Sequence, residues 1–455
     1  MAFESEFASY EPMRRVLESE KVEKLQQRFR VRDQSKKDSD DLLKSLIHKA
    51  SLTESDIAPD LILAFDGSFL AAKAENGFPG AELGYVTVAS VLINMNLVRE
   101  TAKEDIIDPK KFRETEKASS IETVFPGCNV VLDDDLTAKA SMRRALFEEL
   151  KNTAIFSEGE TLLGTYEALL KIRLDSGGKA PRSPIEEIDE EMTYGFGQYT
   201  CDYTGQPLYS TDAMRLHELM NPGGTNGEMY GQIMSTLEKL LLVHVLRAFE
   251  IRNWLPTFRR VAIIMDGPLA VFSTSSWLAK TIEIEIRRIN ARQKAITGQD
   301  ILLIGIEKSG TFVNHFQEID ISIDGMSGRF PNQSALLLDD DYIKKNIIFS
   351  ASKKPYGEDT YFGRKLFYKT VNGYNLVPVV ISLSDSDKDL TTAKPSQFPR
   401  LADVMALLDT FVSNRYPNSV SPLVSAHAEA AIPLNLGKRI FEDIAREIRQ
   451  QSIAK

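Results

Sequence analysis

The chain has 455 residues with a net charge of −10, and 26% of its residues are charged, which is typical of a soluble globular protein with roughly one to three domains. The negative charge argues against a surface coated for non-specific binding of nucleic acid, although it allows a local basic channel. The only cysteines, Cys128 and Cys201, form no Cys-x-x-Cys motif, which argues against structural zinc and a disulfide framework.

Targeting signals are also missing from the sequence. No apolar run reaches the roughly 18–20 residues that a membrane span requires. The segment Met1–Arg30 is polar and charged, without the apolar stretch of a secretory signal. With so few cysteines, the sequence predicts a cytoplasmic protein that does not bind membranes.

The N-terminal part of the chain has helical spacing. Apolar residues between about 10 and 50, such as Val16, Leu17, Val22 and Leu25, recur on one face of a charge-rich segment. This pattern predicts an amphipathic helical arm, suited to contacts within an oligomer. We take residues 1–58 as the arm and 59–455 as the main domain.

The main domain opens with two predicted strands. The first follows Pro59 and ends at Asp66, and the second covers the β-branched run Gly84–Ile93. Glycines and a proline separate them, so a hairpin at the start of a mixed sheet is expected. Two helices are predicted next, around Met142–Lys151 and Thr161–Leu174.

The middle of the chain changes in composition. Residues 175–228 are rich in glycine, proline, tyrosine and acidic side chains, which predicts a long loop or an insertion. A long helix is then expected from about Gly227 to Trp254, leading into a strand that ends at Asp266.

A second long helix, about Ser276–Ala295, carries a basic stripe. Lys280, Arg287 and Lys294 recur every seven residues along it. The stripe could face a phosphate backbone, although a solvated helix face fits equally well. Strands are predicted at 301–307, 365–370 and 376–383, and closing helices at about 400–414 and 437–450. The alternation of strands and helices predicts an α/β fold.

The most informative feature is a repeated motif. The apolar runs before Asp66 and Asp266 both end in Asp-Gly, 200 positions apart. Asp-Gly is also a strong hairpin signal, so either site alone fits a plain turn. Two carboxylates brought together at strand ends would need a cation to neutralise them. The pair therefore indicates a divalent-metal site and phosphodiester chemistry.

Further motifs follow in a fixed order. Lys308-Ser309 comes after the strand that follows Asp266, and Pro422-Leu423-Val424-Ser425-Ala426-His427 lies near the end. Together with Asp-Gly-Ser and Asp-Gly-Pro-Leu, this set resembles the NurA family of DNA-end-processing nucleases. The resemblance covers residues from about 60 to 435.

The resemblance implies an RNase H-like mixed sheet flanked by helices, to which the helical arm and the loop-rich segment would be additions. It also implies site residues. Asp66 and Asp266 match the family's metal-binding aspartates, and His427 its C-terminal histidine. The family also has a glutamate on the helix before the second aspartate. Glu250 suits the expected separation better than its competitor Glu238.

Other residues have less defined roles in this prediction. Tyr416 matches the family's tyrosine, and the sequence departs from the family's pattern by Asn418, Ser419 and Val420, which separate Tyr416-Pro417 from the Pro-Leu motif. Lys308 could contact the scissile phosphate or form a plain salt bridge. Arg287 and Lys294 are the candidates for DNA backbone contacts on the basic stripe.

The predicted function is a DNA nuclease that uses two Mn²⁺ or Mg²⁺ ions, since hard carboxylate oxygens suit both. The resemblance further implies a homodimer that works with a HerA-type hexameric ATPase. The chain has no Gly-x-x-x-x-Gly-Lys-Ser/Thr loop of its own, so a partner would have to supply any ATP-driven movement of DNA. DNA-end resection in repair and defence against phage are both compatible with it. The alternatives are an inactive adaptor between a translocase and DNA, and an actin- or sugar-kinase-like phosphotransferase.

Overall fold

The computed structural model of the chain describes residues 14–15, 17–28, 42–74, 81–96, 116–133, 135–155, 159–185, 188, 191, 194–321, 328–411 and 421–431. The chain divides into two compact units, Met1–Ser45 and Leu46–Lys455. The first contains helix α1 (Glu20–Arg28), which lies within the predicted arm. The division falls before the predicted boundary at residue 58, because Ile47–His48 already pairs with a strand of the second unit.

The second unit is built on one large sheet and a separate small hairpin. The strands are β1 (Ile47–His48), β2 (Leu61–Lys73), β3 (Glu82–Asn94), β4 (Glu116–Pro126), β5 (Gln198–Thr200), β6 (Pro207–Tyr209), β7 (Val261–Asp266), β8 (Leu302–Glu307), β9 (Ser334–Leu337), β10 (Gly363–Lys369) and β11 (Asn375–Ile381). The helices are α2 (Ala138–Asn152), α3 (Leu162–Asp175), α4 (Gly227–Ile251), α5 (Trp277–Thr297), α6 (Thr311–Asp320), α7 (Asp340–Asn346), α8 (Leu401–Phe411) and α9 (Ser421–Ala430). In the described part of the chain, no helix is both long and apolar enough to cross a membrane.

The strand order of the large sheet is β1-β9-β10-β11-β8-β7-β2-β3-β4. Strands β2, β3 and β4 form an antiparallel meander, while β7 and β8 run parallel to β2. The other strands pair antiparallel. A three-stranded meander continued by two parallel strands is the RNase H-like arrangement. The predicted fold class, a mixed sheet flanked by helices, is confirmed.

Helices cover both faces of this sheet. On β2, Leu63 and Phe65 pack into the core formed with helices α2 to α5. Ile62 and Ala64 pack into a second core, on the opposite face, that includes residues of α8 and α9. Strands covered on both faces read as continuous apolar runs, which is why the central strands were evident from sequence.

Most predicted elements of the sheet and its helices are present. The helices expected at 227–254 and 276–295 are α4 and α5, and the strands expected at 301–307, 365–370 and 376–383 are β8, β10 and β11. Strands β1, β4 and β9 and helices α6 and α9 were not predicted. Residues 175–228 contain the β5–β6 hairpin and short 3-10 turns, and the description of this segment as an insertion stays a prediction. The helix expected at 437–450 lies outside the described residues.

The prediction that the first strand ends at Asp66 was wrong. Strand β2 continues to Lys73, because β3 pairs with it along its whole length, from Leu61 opposite Asn94 to Lys73 opposite Glu82. The second Asp-Gly behaves as predicted. Strand β7 ends at Asp266, and Gly267 turns the backbone with φ of +85°.

Candidate functional site

The two Asp-Gly motifs occupy equivalent positions on neighbouring strands. Strands β2 and β7 are paired in parallel up to Phe65 opposite Met265, so Asp66 and Asp266 are the next residues on each strand. Adjacent strands lie about 5 Å apart, which makes these two aspartates close neighbours in the middle of the sheet. Each residue of β2 pairs with the residue of β7 that lies 200 positions later in the sequence, and the two Asp-Gly motifs have the same separation.

Gly67 brings a third carboxylate to this position. A Cβ atom placed on Gly67 would lie 2.6 Å from Oε1 of Glu238 and 2.7 Å from Cγ of Met234. Both residues belong to helix α4, which packs across β2. The carboxylate of Glu238 thus occupies the space that a side chain at position 67 would fill. The glycine is needed for this close approach of the helix, and not for a turn.

A substitution at this glycine should therefore destabilise the fold. We expect Gly67→Ala to lower the free energy of unfolding by about 1–3 kcal/mol, because the added methyl group must displace Glu238 and Met234. The measurement is urea unfolding at fixed pH. Gly231→Ala is the matched control on α4, since its Cβ atom would lie 3.4 Å from the Phe69 ring, an ordinary contact, and alanine favours a helix by about 0.5–1 kcal/mol over glycine. Equal stability of Gly67→Ala and the wild type would contradict this interpretation.

The three carboxylates repel one another. Asp66 is only 5% exposed. Burial raises its pKa to about 7, with contributions from the negative charges of Asp266 and Glu238. Burial also raises the pKa of Glu238, opposed by Lys239 and reinforced by Asp266. Burial and the neighbouring carboxylates therefore both disfavour the ionised forms of Asp66 and Glu238.

Each acid has its own partner. Oδ2 of Asp66 lies 2.9 Å from Nδ1 of His427, on helix α9. Nζ of Lys308 donates to Oδ2 of Asp266 at 2.6 Å, and Nζ of the buried Lys239 donates to Oε2 of Glu238 at 2.6 Å. Within the residues that the structure describes, no three acidic, histidine or cysteine side chains are arranged as a ready-made metal site. We attribute this to the separate pairing of each acid with the histidine or one of the lysines.

Glu250, the favoured glutamate from the sequence, is not brought to the aspartates. It lies 12 residues beyond Glu238 on α4, which is about 18 Å along the helix axis. Arg288 donates to both of its carboxylate oxygens, at 2.8 and 2.5 Å, and Arg292 also pairs with it. Mainly through the hydrogen bond from Arg288, these arginines lower the pKa of Glu250. Its observed contacts join α4 to α5.

The basic stripe on α5 is also engaged in ion pairs. Arg287 pairs with Glu283 at 3.0 Å and with Asp385 at 2.8 Å, and Lys294 pairs with Asp300 at 2.9 Å. These contacts are typical of a helix face that forms ion pairs with nearby acidic residues of the same chain. DNA binding by Arg287 and Lys294 stays a prediction. Tyr416 lies outside the described residues.

The buried lysine of this site, Lys239, was not predicted from the sequence. Lys239 is 3% exposed and follows Glu238 directly in the chain. The available signal was the position of the pair within the run from Leu237 to Val243, in which all the other residues are apolar, because a helix that is apolar on all sides is buried. A charged residue at a buried helix position normally has a specific partner or a function.

The chain was compared with curated proteins, solved structures and family models. A search of curated proteins found no match. Among solved structures, the NurA nuclease from Sulfolobus solfataricus matches with 11% identity and a TM-score of 0.32, covering 98% of each chain. A second NurA crystal structure matches with 10% identity and a TM-score of 0.30, covering 96% of this chain and 97% of the other. The family model described as the NurA domain matches residues 60–432, and the chain therefore belongs to the NurA family.

Proposed function

We propose that this protein is a metal-dependent nuclease that hydrolyses phosphodiester bonds in DNA. The observation that carries the proposal is the proximity of Asp66, Asp266 and Glu238. Glu238 can approach the sheet closely because residue 67 is a glycine. Membership of the NurA family supports the same function. Family membership also favours a nuclease over the kinase-like phosphotransferase.

The chemical types of the donor atoms suit one or two divalent cations. Asp66, Asp266 and Glu238 offer carboxylate oxygens, and His427 adds an imidazole nitrogen, a set that suits Mn²⁺ and Mg²⁺. Burial, with the added charges of Asp266 and Glu238, raises the pKa of Asp66, and a bound cation would favour its ionised form. We therefore assign Glu238, in place of Glu250, as the glutamate of this set. When bound, such ions activate water for attack and stabilise charge on the leaving oxygen.

Residues of the chain would contribute the remaining chemistry. Lys308 lies at the entrance to the cluster, and its ammonium group can move from Asp266 to a non-bridging oxygen of the scissile phosphate. Helix α6 begins beside the same cavity as Lys308, since Gly310, Thr311 and Phe312 line it, and the N-terminus of a helix attracts anions. His427 and Asp66 can pass a proton between Nδ1 and Oδ2. Lys308 and this helix N-terminus would thus offer positive charge to the substrate phosphate.

The proposed partners follow from the resemblance to NurA nucleases. A nuclease without a motor of its own would need DNA fed to it, so we propose a homodimer that works with a HerA-type hexameric ATPase. The net charge of −10 is consistent with DNA that is delivered by a partner and not captured from solution.

The test is cleavage of linear and circular DNA by the purified full-length chain. We expect cleavage with Mn²⁺ or Mg²⁺, none with EDTA, and faster cleavage when the cognate ATPase and ATP are added. A chain that leaves both DNA forms intact under all of these conditions, yet binds the ATPase, would be the inactive adaptor. Calorimetric titration with Mn²⁺ checks cation binding independently of cleavage.

A further inference from the structure

The three side chains whose nitrogen atoms contact the acids of the candidate site differ in exposure. The side chain of His427 is 62% exposed, and that of Lys308 is 32% exposed. Both can turn from the acids towards solvent. The side chain of Lys239 is only 3% exposed, so its ammonium group has no such route. Of the three contacts, the one made by Lys239 is therefore the permanent one.

Burial holds Lys239 on the carboxylate of Glu238. Its Nζ atom donates to Oε2 of Glu238 at 2.6 Å and lies 3.4 Å from the hydroxyl oxygen of Ser235, which is a weak hydrogen bond at that length. Glu238 is itself only 4% exposed. Separating the pair would leave two buried charges without partners, which is strongly unfavourable. Oε2 of Glu238 therefore stays bound to an ammonium group.

Each acid keeps one oxygen that contacts neither a lysine nor a histidine among the described residues. Oε1 of Glu238 faces Gly67, Oδ1 of Asp66 accepts the backbone N–H of Gly67 at 2.8 Å, and Oδ1 of Asp266 is the third. Three carboxylate oxygens, completed by water and a substrate oxygen, suit one Mn²⁺ or Mg²⁺ ion. A second ion roughly 3.5–4 Å away would draw on the other oxygens of the same acids, and among these Oε2 of Glu238 is already occupied.

The charge of the cluster favours the same number of ions. With all three acids ionised, three negative charges face the two positive charges of Lys239 and Lys308, so one negative charge remains. One divalent cation, together with the single negative charge of a phosphodiester, would bring the site to neutrality. A second divalent cation would add two positive charges beside buried groups without any counter-charge.

We propose that Lys239 takes the place of a second metal ion, so that this site binds one divalent cation and not two. This inference rests on the proposed function, and it departs from the pair of ions predicted from the sequence. The ammonium group neutralises part of the charge of the acids and holds Glu238 with Oε1 facing the sheet. Lys239 is thus a positioning residue, because it acts through Glu238.

The number of Mn²⁺ ions bound per chain tests the proposal. The full-length wild type is titrated with Mn²⁺, with and without a nuclease-resistant phosphorothioate oligonucleotide, and free Mn²⁺ is measured from its electron paramagnetic resonance signal. Ions bound by Asp66→Asn/Asp266→Asn under the same conditions are subtracted, because they lie outside the site. We expect one ion per chain in the wild type and in Glu250→Gln, which removes a charge from the other end of α4. Two ions in the wild type would overturn the proposal.

Lys239→Met removes the ammonium group and leaves Oε2 of Glu238 free. We expect this variant to bind a second Mn²⁺ ion at the site, and Mn²⁺ to raise its melting temperature more than that of the wild type, because binding to the native state stabilises it. A lysine with a structural role alone would give a less stable variant with an unchanged number of ions, and that result would also overturn the proposal. If Lys239→Met does not fold, the number of ions in the wild type still decides.

The same titrations separate this inference from the proposed function. A wild type that binds two ions and cleaves DNA would keep the nuclease function and remove only the role of Lys239. A wild type that binds no Mn²⁺ at the site and leaves DNA intact would remove both. The cleavage rate gives a further readout, since below saturation a plot of log rate against log Mn²⁺ concentration should have a slope of about 1 for one ion and about 2 for two.

Discussion

Asp66→Asn and Asp266→Asn, each made alone, are expected to lower metal-dependent DNA cleavage by at least about 100-fold. Each change removes the charge of one of three carboxylates in the cluster, and a catalytic cation supplies several kcal/mol of charge stabilisation in the transition state. The measurement is the initial rate of cleavage of linear DNA at saturating Mn²⁺. Because burial and repulsion raise the pKa of Asp66, its replacement by asparagine should leave the fold intact at neutral pH.

Asp341→Asn is the matched control for this pair of variants. Its carboxylate is exposed and pairs with Lys345 on the surface of α7, outside the candidate site. It should cleave DNA at the wild-type rate. Cleavage by both Asp66→Asn and Asp266→Asn at the rate of this control would exclude the cluster as the catalytic site.

The sequence was sufficient to predict that both aspartates lie on buried strands, because each follows a continuous apolar run. Such runs arise where helices cover both faces of a sheet, as on β2 and β7. Edge strands give a weaker signal. Strand β4 (Glu116–Pro126) has largely polar residues and pairs with a single neighbour, and it was not predicted. The central strands, and with them the positions of the two aspartates, could therefore be predicted from short stretches of sequence.

The remaining groups of the site depend on contacts between distant parts of the chain. His427 reaches Asp66 across 361 positions, and only the resemblance to NurA nucleases indicated it beforehand. The role of Gly67 depends on the close approach of α4, which the sequence of the strand does not indicate. The glutamate was chosen by its spacing from Asp266, a criterion that ignores which side of the helix faces the sheet.

The choice of glutamate leads to the sharpest test of the site. We expect Glu238→Gln to lower cleavage by at least about 100-fold, and Glu250→Gln to cleave DNA near the wild-type rate. Glu250→Gln should instead lower the free energy of unfolding by about 1 kcal/mol, because it weakens the pairing with the partly exposed Arg288 and Arg292. The two variants remove the same charge from one helix and therefore serve as controls for each other.

Glu238→Gln leaves Lys239 buried without its carboxylate, so lost activity alone could reflect a damaged fold. The double variant Glu238→Gln/Lys239→Met removes both charges of the buried pair and should fold, yet remain inactive. Mn²⁺ should raise the melting temperature of the wild type and of Glu250→Gln, but raise that of the double variant much less, since binding to the native state stabilises it. If Glu250→Gln loses both cleavage and this Mn²⁺ response while the double variant keeps them, Glu250 is the metal ligand and the assignment of Glu238 is wrong.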